Sequence, residues 1–216
     1  MYLDNLLRAQ FGRPSGLIGS LFLGPFMNIA NSRLVATTID LLAPSETDTV
    51  LDIGFGGGNS LLSLAERVPR GRVTGVDISA DMVENAARLI HSRNLESRAE
   101  VRCASVDKLP FRARAFDKVL TVNSIYYWPR IVANLRETAR VLKPHGRLGV
   151  GFRSRTSLLP FTETWENFWL YEPQEFATIM RKAGFKLLHV EHRDQWQIQD
   201  TVVIVGERLP RGGLHE

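Results

Sequence analysis

The stretch Thr49-Val50-Leu51-Asp52-Ile53-Gly54-Phe55-Gly56-Gly57-Gly58-Asn59 decides the fold. Its first five residues are a short apolar run of strand character that stops at glycine. Four of the five positions from 54 to 58 are glycine. A helical stretch follows, with Leu61, Leu62, Leu64 and Ala65, and stops near Pro69. In a strand, turn and helix built this way, backbone rather than side chains faces whatever lies above the turn. The helix start just beyond presents free N–H groups to a carboxylate or phosphate. So many glycines cost backbone entropy that a plain turn does not require, so close approach of a ligand is the better reading.

Spacing narrows the ligand. A dinucleotide fingerprint runs G-x-G-x-x-G, and counted from Gly54 and Gly56 its third glycine falls on Asn59. A nicotinamide-dependent oxidoreductase is therefore disfavoured. The pattern is D-x-G-x-G-x-G, with Asp52 two positions before the first glycine. An acid there is awkward beside a pyrophosphate and favourable beside an ammonium group. A second acid, Asp77, ends the next strand in Gly75-Val76-Asp77-Ile78-Ser79. In doubly wound folds an acid at this strand end accepts hydrogen bonds from ribose hydroxyls.

Outward from this core the β and α patterns alternate. Strands are expected at 72–76, 99–104, 116–122 and 147–152. The helix after the second strand carries Met82, Ala86, Leu89 and Ile90 on one stripe, with Ser79 as N-cap. Another carries Ile131, Leu135, Thr138, Ala139 and Leu142 and closes at Lys143-Pro144-His145-Gly146. A long connection, 153–171, precedes a helix with Phe176, Ile179, Met180 and Ala183. Two last strands, about 185–191 and 199–206, have a short link and are expected to pair antiparallel. The fold class is α/β: a doubly wound, mostly parallel seven-stranded sheet with helices on both faces and a C-terminal antiparallel pair.

The 216 residues suit one domain. The expected division is a helical arm or lid at 1–44, the ligand-binding domain at 45–206 with its substrate-side insertion at 153–171, and a tail at 207–216. The single cysteine, Cys103, excludes an intramolecular disulfide and a multi-cysteine zinc site. His189 and His192, three apart on a strand, point to opposite faces, so no metal site is expected. The net charge is only +4, and the 22 arginines are scattered rather than striped, so no nucleic-acid partner is expected. No secretory signal is visible, and the apolar stretch 16–30 is broken by Gly19, Gly24 and Pro25. It is too short and broken to span a bilayer, and reads as a lid, a packing arm or a peripheral membrane contact. A cytoplasmic monomer or homodimer is expected.

Taken together, these residues resemble the class I S-adenosylmethionine-dependent methyltransferases, specifically the small-molecule type with the methyltransferase 11 domain. The resemblance covers about residues 45–206. It implies that the loop Asp52, Gly54, Phe55, Gly56 and Gly58 holds the methionine part of S-adenosyl-L-methionine, the product being S-adenosyl-L-homocysteine. It implies that Asp77 grips the ribose, with Ile78 and Met82 beside the cofactor. Ala104-Ser105-Val106-Asp107-Lys108-Leu109-Pro110-Phe111 matches the family's G-D-A-x-x-L-P-F segment at the adenine. Ser105 stands where the family has Asp, which weakens the side-chain contact but not the backbone one at Val106. Phe116-Asp117-Lys118-Val119 matches F-D-x-V, and Arg140-Val141-Leu142-Lys143-Pro144-His145-Gly146 matches the turn before strand five. Val122-Asn123-Ser124-Ile125-Tyr126-Tyr127-Trp128-Pro129 matches the segment facing the methyl group.

Methyl transfer from a sulfonium is an in-line displacement, so alignment and electrostatics matter more than a catalytic dyad. A general base is needed only where the nucleophile must lose a proton. Asn123, Tyr126 and Tyr127 are the candidates for positioning the acceptor, and Asn123 also borders the cofactor. The expected acceptor is a small apolar or aromatic molecule, methylated at O, N or C. Phe22, Phe26 and Met27 in the arm, with Phe161, Trp165, Phe168, Trp169 and Tyr171 in the insertion, flank its side of the site. The alternative is a non-catalytic S-adenosylmethionine-binding module with a sensing or partner-binding role.

Overall fold

The computed structural model describes residues 24–162, 168–193 and 200–210. The elements run α1 (Gly24–Leu42), β1 (Thr49–Ile53), α2 (Asn59–Arg67), β2 (Arg72–Asp77), α3 (Ala80–Ser92), β3 (Ala99–Cys103) and β4 (Phe116–Val122). A single 3₁₀ turn, Ile125–Tyr127, leads to α4 (Ile131–Val141) and β5 (Leu142–Phe152). Then come α5 (Arg155–Thr162), α6 (Pro173–Lys182), β6 (Phe185–Arg193) and β7 (Thr201–Arg208). The expected arm segment 1–23, Trp165 and residues 211–216 of the tail lie outside the described residues.

All seven strands form one sheet in the order β3-β2-β1-β4-β5-β7-β6. The pairs from β3 to β5 are parallel, while β7 runs antiparallel to both β5 and β6. Chain order walks outward from β1 to β3, then returns to the other side of β1 for β4. The strand order reverses between β1 and β4, and ligands in such sheets bind in the crevice above that reversal, at the carboxyl ends of the strands. The glycine loop leaves β1 at that end, and the Asn123 turn leaves β4 beside it.

Alternation along β1 splits the core in two. Val50 is buried on one face with Leu34, Ile39, Leu42, Leu61, Leu64 and Ile90, from α1, α2 and α3. Leu51 and Ile53 are buried on the other with Val119, Leu135, Phe152, Phe176 and Met180, under α4 and α6. Each fully buried Leu or Phe contributes about 1.5–3 kcal/mol relative to exposure. The apolar spacing on α3 buries Ala86 and Ile90, and Ser79 caps it by accepting the Met82 N–H at 3.4 Å. On α6, Glu172 and Glu175 form a capping box ahead of Pro173, satisfying amide groups that the helix start leaves free.

Two local differences from the pattern reading have physical causes. Strand β5 begins at Leu142, five residues earlier than expected, because Leu142 pairs with Phe116 before the ladder jumps to Lys118 and Arg147. The residues between bulge out, with His145 at φ 62°. Lys143 fixes the bulge to both Asp117 carboxylate oxygens at 2.8 Å, and His145 reaches Glu207 at 2.9 Å. The connection after β5 contains a helix, α5, which the sequence pattern hides because Pro160 interrupts it. Its start is set by Ser154, whose hydroxyl accepts the Ser157 N–H at 3.2 Å.

Candidate functional site

Asp52 lies in the fourth position of a strand buried on both faces, and is 1 % exposed. One of its carboxylate oxygens, Oδ2, has no hydrogen-bond partner. Burial raises its pKa from 3.8 to about 7; the Ser60 hydroxyl opposes this and the neighbouring Asp77 charge adds to it. A buried carboxylate with one unpartnered oxygen at the ligand end of a sheet is costly unless something cationic meets it.

The loop above it is shaped by hydrogen bonds that use the other acid. Gly54 N–H donates to Val76 O at 2.7 Å, stitching the loop to the end of β2. The Asp77 carboxylate accepts the Gly56 N–H at 3.0 Å on one oxygen and the Ser79 N–H at 3.0 Å on the other. Asp77 thus joins the glycine loop to the N-cap of α3. Gly54, at φ 74°, sits where a Cβ would overlap the Cβ of Ser124. Gly56, at φ 53°, has the opposite surroundings: a Cβ there meets nothing within 4 Å, so the loop is open on that side. Phe55 is buried beneath it, against Gly75 of β2.

The remaining expected cofactor residues gather around the same end. Ile78 follows Asp77 and is 77 % exposed, unusual for an isoleucine in a folded core. Met82 is half-buried on the first turn of α3, and Val106 is buried. Ser105 is engaged locally: its hydroxyl donates to Asp107 Oδ2 and accepts the Asp107 N–H, both at 3.2 Å. The other Asp107 oxygen accepts from Asn134 at 2.9 Å and Arg130 at 3.0 Å. Those donors hold the Asp107 carboxyl below its usual range. The acid missing at 105 is thus present two residues on, but tied to α4.

Beyond β4 the chain turns through Asn123 at φ 55°, a left-handed conformation that asparagine tolerates. Its N–H donates to Gly151 O at 2.8 Å. Its Nδ2 donates to Asn31 Oδ1 on α1 at 3.0 Å, and its Oδ1 faces the Tyr126 hydroxyl at 3.3 Å. Ser124 donates to Ile53 O at 3.2 Å and meets Thr121, so the turn is pinned to the end of β1.

Tyr126 is 4 % exposed and its hydroxyl accepts the Arg153 N–H at 2.6 Å. Its one proton has two acceptors at 3.3 Å, Arg153 O and Asn123 Oδ1. Burial pushes its phenol well above the ordinary value, so it stays protonated and works as a donor, not a base. Tyr127 is half exposed, and burial also pushes its phenol up. Its ring meets Phe168 edge-on at 5.2 Å, and Tyr126 lies 4.9 Å from the same ring. Trp128 is in the core, as is Tyr171. The aromatics near the site therefore divide into a buried floor and a partly open rim of Tyr127 and Phe168.

The structure keeps His145 apart from the site, at the far end of β5. Cys103 is exposed at the ligand end of edge strand β3, where it pairs with Asp77 in the sheet and its thiol faces the Ile78 carbonyl at 3.5 Å. His192 bonds Asp200 at 2.5 Å, and Asp200 also bonds Ser154. Among the described residues no three His, Cys, Asp or Glu side chains cluster to hold a metal ion, and no helix is long and apolar enough to cross a membrane. Asn31 was missed from sequence because nothing near it in the chain marks it. Asp107 was in the matched segment and could have been found there.

Residues 50–146 match the family model described as a methyltransferase domain. The chain is 27 % identical over 132 residues to the uncharacterized methyltransferase YdaC of Bacillus subtilis (strain 168), covering 61 % of this chain and 71 % of that protein. It is 35 % identical over 124 residues to erythromycin 3''-O-methyltransferase of Saccharopolyspora erythraea, covering 56 % of this chain and 40 % of that protein. The chain spans about half the length of most of the curated relatives it matches. In fold it is similar to a SAM-dependent methyltransferase from Aquifex aeolicus, with TM-score 0.68 and 20 % identity over 81 % of this chain and 89 % of that one. The matched segment runs from β1 into β5 and so contains the glycine loop, both acids and the Asn123 turn at the strand-order reversal; over that segment, and in the order of its sheet, the chain is similar to the class I S-adenosylmethionine-dependent methyltransferases.

Proposed function

We propose that this protein transfers a methyl group from S-adenosyl-L-methionine to O, N or C of a small, apolar or aromatic acceptor. The observation that carries the reading is Asp52 Oδ2, a buried acceptor without a partner beneath an open glycine loop. The residues present fit the cofactor. Asp52 supplies an anion for its ammonium group, and the space above Gly56 admits close approach of its chain. Asp77 stands at the strand end suited to ribose hydroxyls. Ile78 and Met82 offer apolar surface beside it, and Ser105 and Val106 border the place for the adenine.

When bound, S-adenosylmethionine supplies a methyl group activated by its sulfonium for in-line displacement. The chain's own contribution is placement. The Asn123 carboxamide and the Tyr126 hydroxyl present fixed polar groups beside the β4 turn. The neutral Tyr126 hydroxyl, buried beside Asn123 Oδ1 and Arg153 O, acts on the acceptor through the Asn123 carboxamide rather than by removing a proton. Tyr127 and Phe168 offer aromatic surface to a planar or apolar acceptor and to positive charge. The O-methyltransferases among the relatives favour a hydroxyl acceptor. A monomeric or homodimeric enzyme in the cytoplasm suits this role.

The test is transfer of label from methyl-labelled S-adenosylmethionine to a panel of simple phenols and hydroxylated macrocycles, alongside calorimetry of cofactor binding. Label in an extractable product supports the reading. Tight cofactor binding with no transfer to any acceptor overturns it in favour of a non-catalytic binding module.

A further inference from the structure

Helix α1 reaches the site through Asn31. It packs along β4, β5 and β7, burying Leu34, Ile39 and Leu42 against the sheet. Two glycines of β5 let it come close. A Cβ on Gly151 would overlap the Thr38 hydroxyl, and one on Gly149 would crowd Thr38 and Leu42 at 3.3–3.4 Å. Thr38 is itself held by donating to Leu34 O at 2.7 Å. The helix axis is therefore fixed against β5 within a few tenths of an ångström. Gly151 is also the residue whose carbonyl accepts the Asn123 N–H. The same stretch of β5 thus sets both α1 and the Asn123 backbone.

Asn31 lies about two helical turns before Thr38 on α1, and its Oδ1 accepts from Asn123 Nδ2 at 3.0 Å. The Asn123 carboxamide is held at both ends, its Oδ1 facing the Tyr126 hydroxyl. Without Asn31, rotation about the last side-chain torsion would exchange the two ends, since that torsion is broad for asparagine. An amide turned over would present an NH₂ to the Tyr126 proton and an oxygen to α1. With Asn31 Oδ1 facing Nδ2 and the Tyr126 hydroxyl facing Oδ1, the observed orientation satisfies both neighbours.

We propose that Asn31 is a positioning residue, which fixes the Asn123 carboxamide and through it the polar groups beside the transferred methyl group. The inference rests on the methyltransferase reading above. Asn31 touches no reacting atom; it acts through Asn123. It makes α1, a helix outside the matched methyltransferase segment, part of the reaction machinery.

The test uses the full chain and three proteins: wild type, Asn31→Leu and Asn31→Asp. Leucine removes the acceptor at similar size, and aspartate keeps an oxygen there. The readout independent of turnover is the Asn123 side-chain amide pair in a ¹⁵N–¹H spectrum, with S-adenosyl-L-homocysteine as the added probe. Wild type and Asn31→Asp should show one bonded, slowly exchanging amide proton; Asn31→Leu should lose that difference. With any phenol that accepts label, Asn31→Leu should lower kcat about three- to tenfold, the effect of one lost hydrogen bond. Cofactor affinity and melting temperature should stay at wild-type values, and Asn31→Asp should recover kcat. An Asn123 amide pair unchanged by Asn31→Leu overturns the proposal. So does a fall in melting temperature that tracks the fall in kcat. Should wild type transfer no label, the methyltransferase reading falls, and the amide spectrum still decides whether Asn31 holds Asn123.

Discussion

Replacing Asp52 by Asn should strengthen the cofactor-free protein and weaken cofactor binding at the same time. The carboxyl is 1 % exposed, and burial lifts its pKa from 3.8 to about 7. Between those values the folded chain holds a proton that the unfolded chain has released. Stability therefore falls as pH rises from about 4 to about 7 and is lowest above that. Keeping the carboxylate charged in that burial, against a pKa lifted from 3.8 to about 7, costs about 4 kcal/mol. Asparagine is a neutral match for the protonated acid and carries none of it. The difference in unfolding free energy between variant and wild type should be near zero below pH 4 and grow to about 4 kcal/mol in favour of Asp52→Asn at pH 8. Urea unfolding at pH 4, 6 and 8 measures it. In the same variant, S-adenosylmethionine should bind more weakly at pH 8, because the anion meeting its ammonium group is gone. Wild-type binding at pH 6 should release protons, seen as a dependence of the calorimetric heat on buffer ionisation enthalpy. A variant less stable than wild type at pH 8, or one that binds the cofactor as wild type does, refutes the reasoning.

Asp77→Ala should weaken cofactor binding by on the order of 1.5–3 kcal/mol, the range for hydrogen bonds to a charged group, and unchanged affinity in calorimetry refutes a ribose role. Gly54→Ala places a methyl group on Ser124 at a positive φ, and should cost about 1–3 kcal/mol in thermal unfolding; a neutral effect means that the Asn123 turn is not pinned to the loop. Tyr126→Phe leaves the Arg153 N–H without its acceptor and should cost about 1–3 kcal/mol in urea unfolding, while kcat with a phenol acceptor drops and cofactor affinity holds.

What was legible in the sequence was whatever repeats with a period or sits beside a glycine. The strands and amphipathic helices of the alternating core follow from burial on two faces, which writes apolar residues at spacings of two or three to four. Strand β5 started early because a paired Leu142 followed by a bulge leaves no period to read. Helix α5 was hidden by Pro160, and its start depends on Ser154, an ordinary residue until the fold brings Asp200 to it. The site divides the same way. Asp52, Gly54, Gly56 and Asp77 lie on two adjacent strand ends with fixed spacing, so a local motif announces them. The Asn123 turn was found by its place after β4, but what holds it was not, because Asn31 is 92 residues away in the chain.

That contrast bears on how the site was assembled. The acids and glycines proposed to meet the cofactor come from consecutive strand-to-helix turns, where one βα unit fixes its own geometry. The groups proposed to lie nearest the transferred methyl are fixed instead by contacts across β4, β5 and α1, each contributed by a different part of the chain. Cofactor binding should therefore survive disturbance of α1 that acceptor alignment does not. A truncation of contacts at Thr38 or Asn31 ought to separate the two, leaving S-adenosylhomocysteine affinity intact while turnover falls. The chemistry demands this division, because binding tolerates small displacements and an in-line transfer does not: reacting atoms must meet at about 3–3.5 Å with orbitals aligned. The Gly149–Gly151 contact, which fixes α1 against β5, is where the fold supplies that alignment.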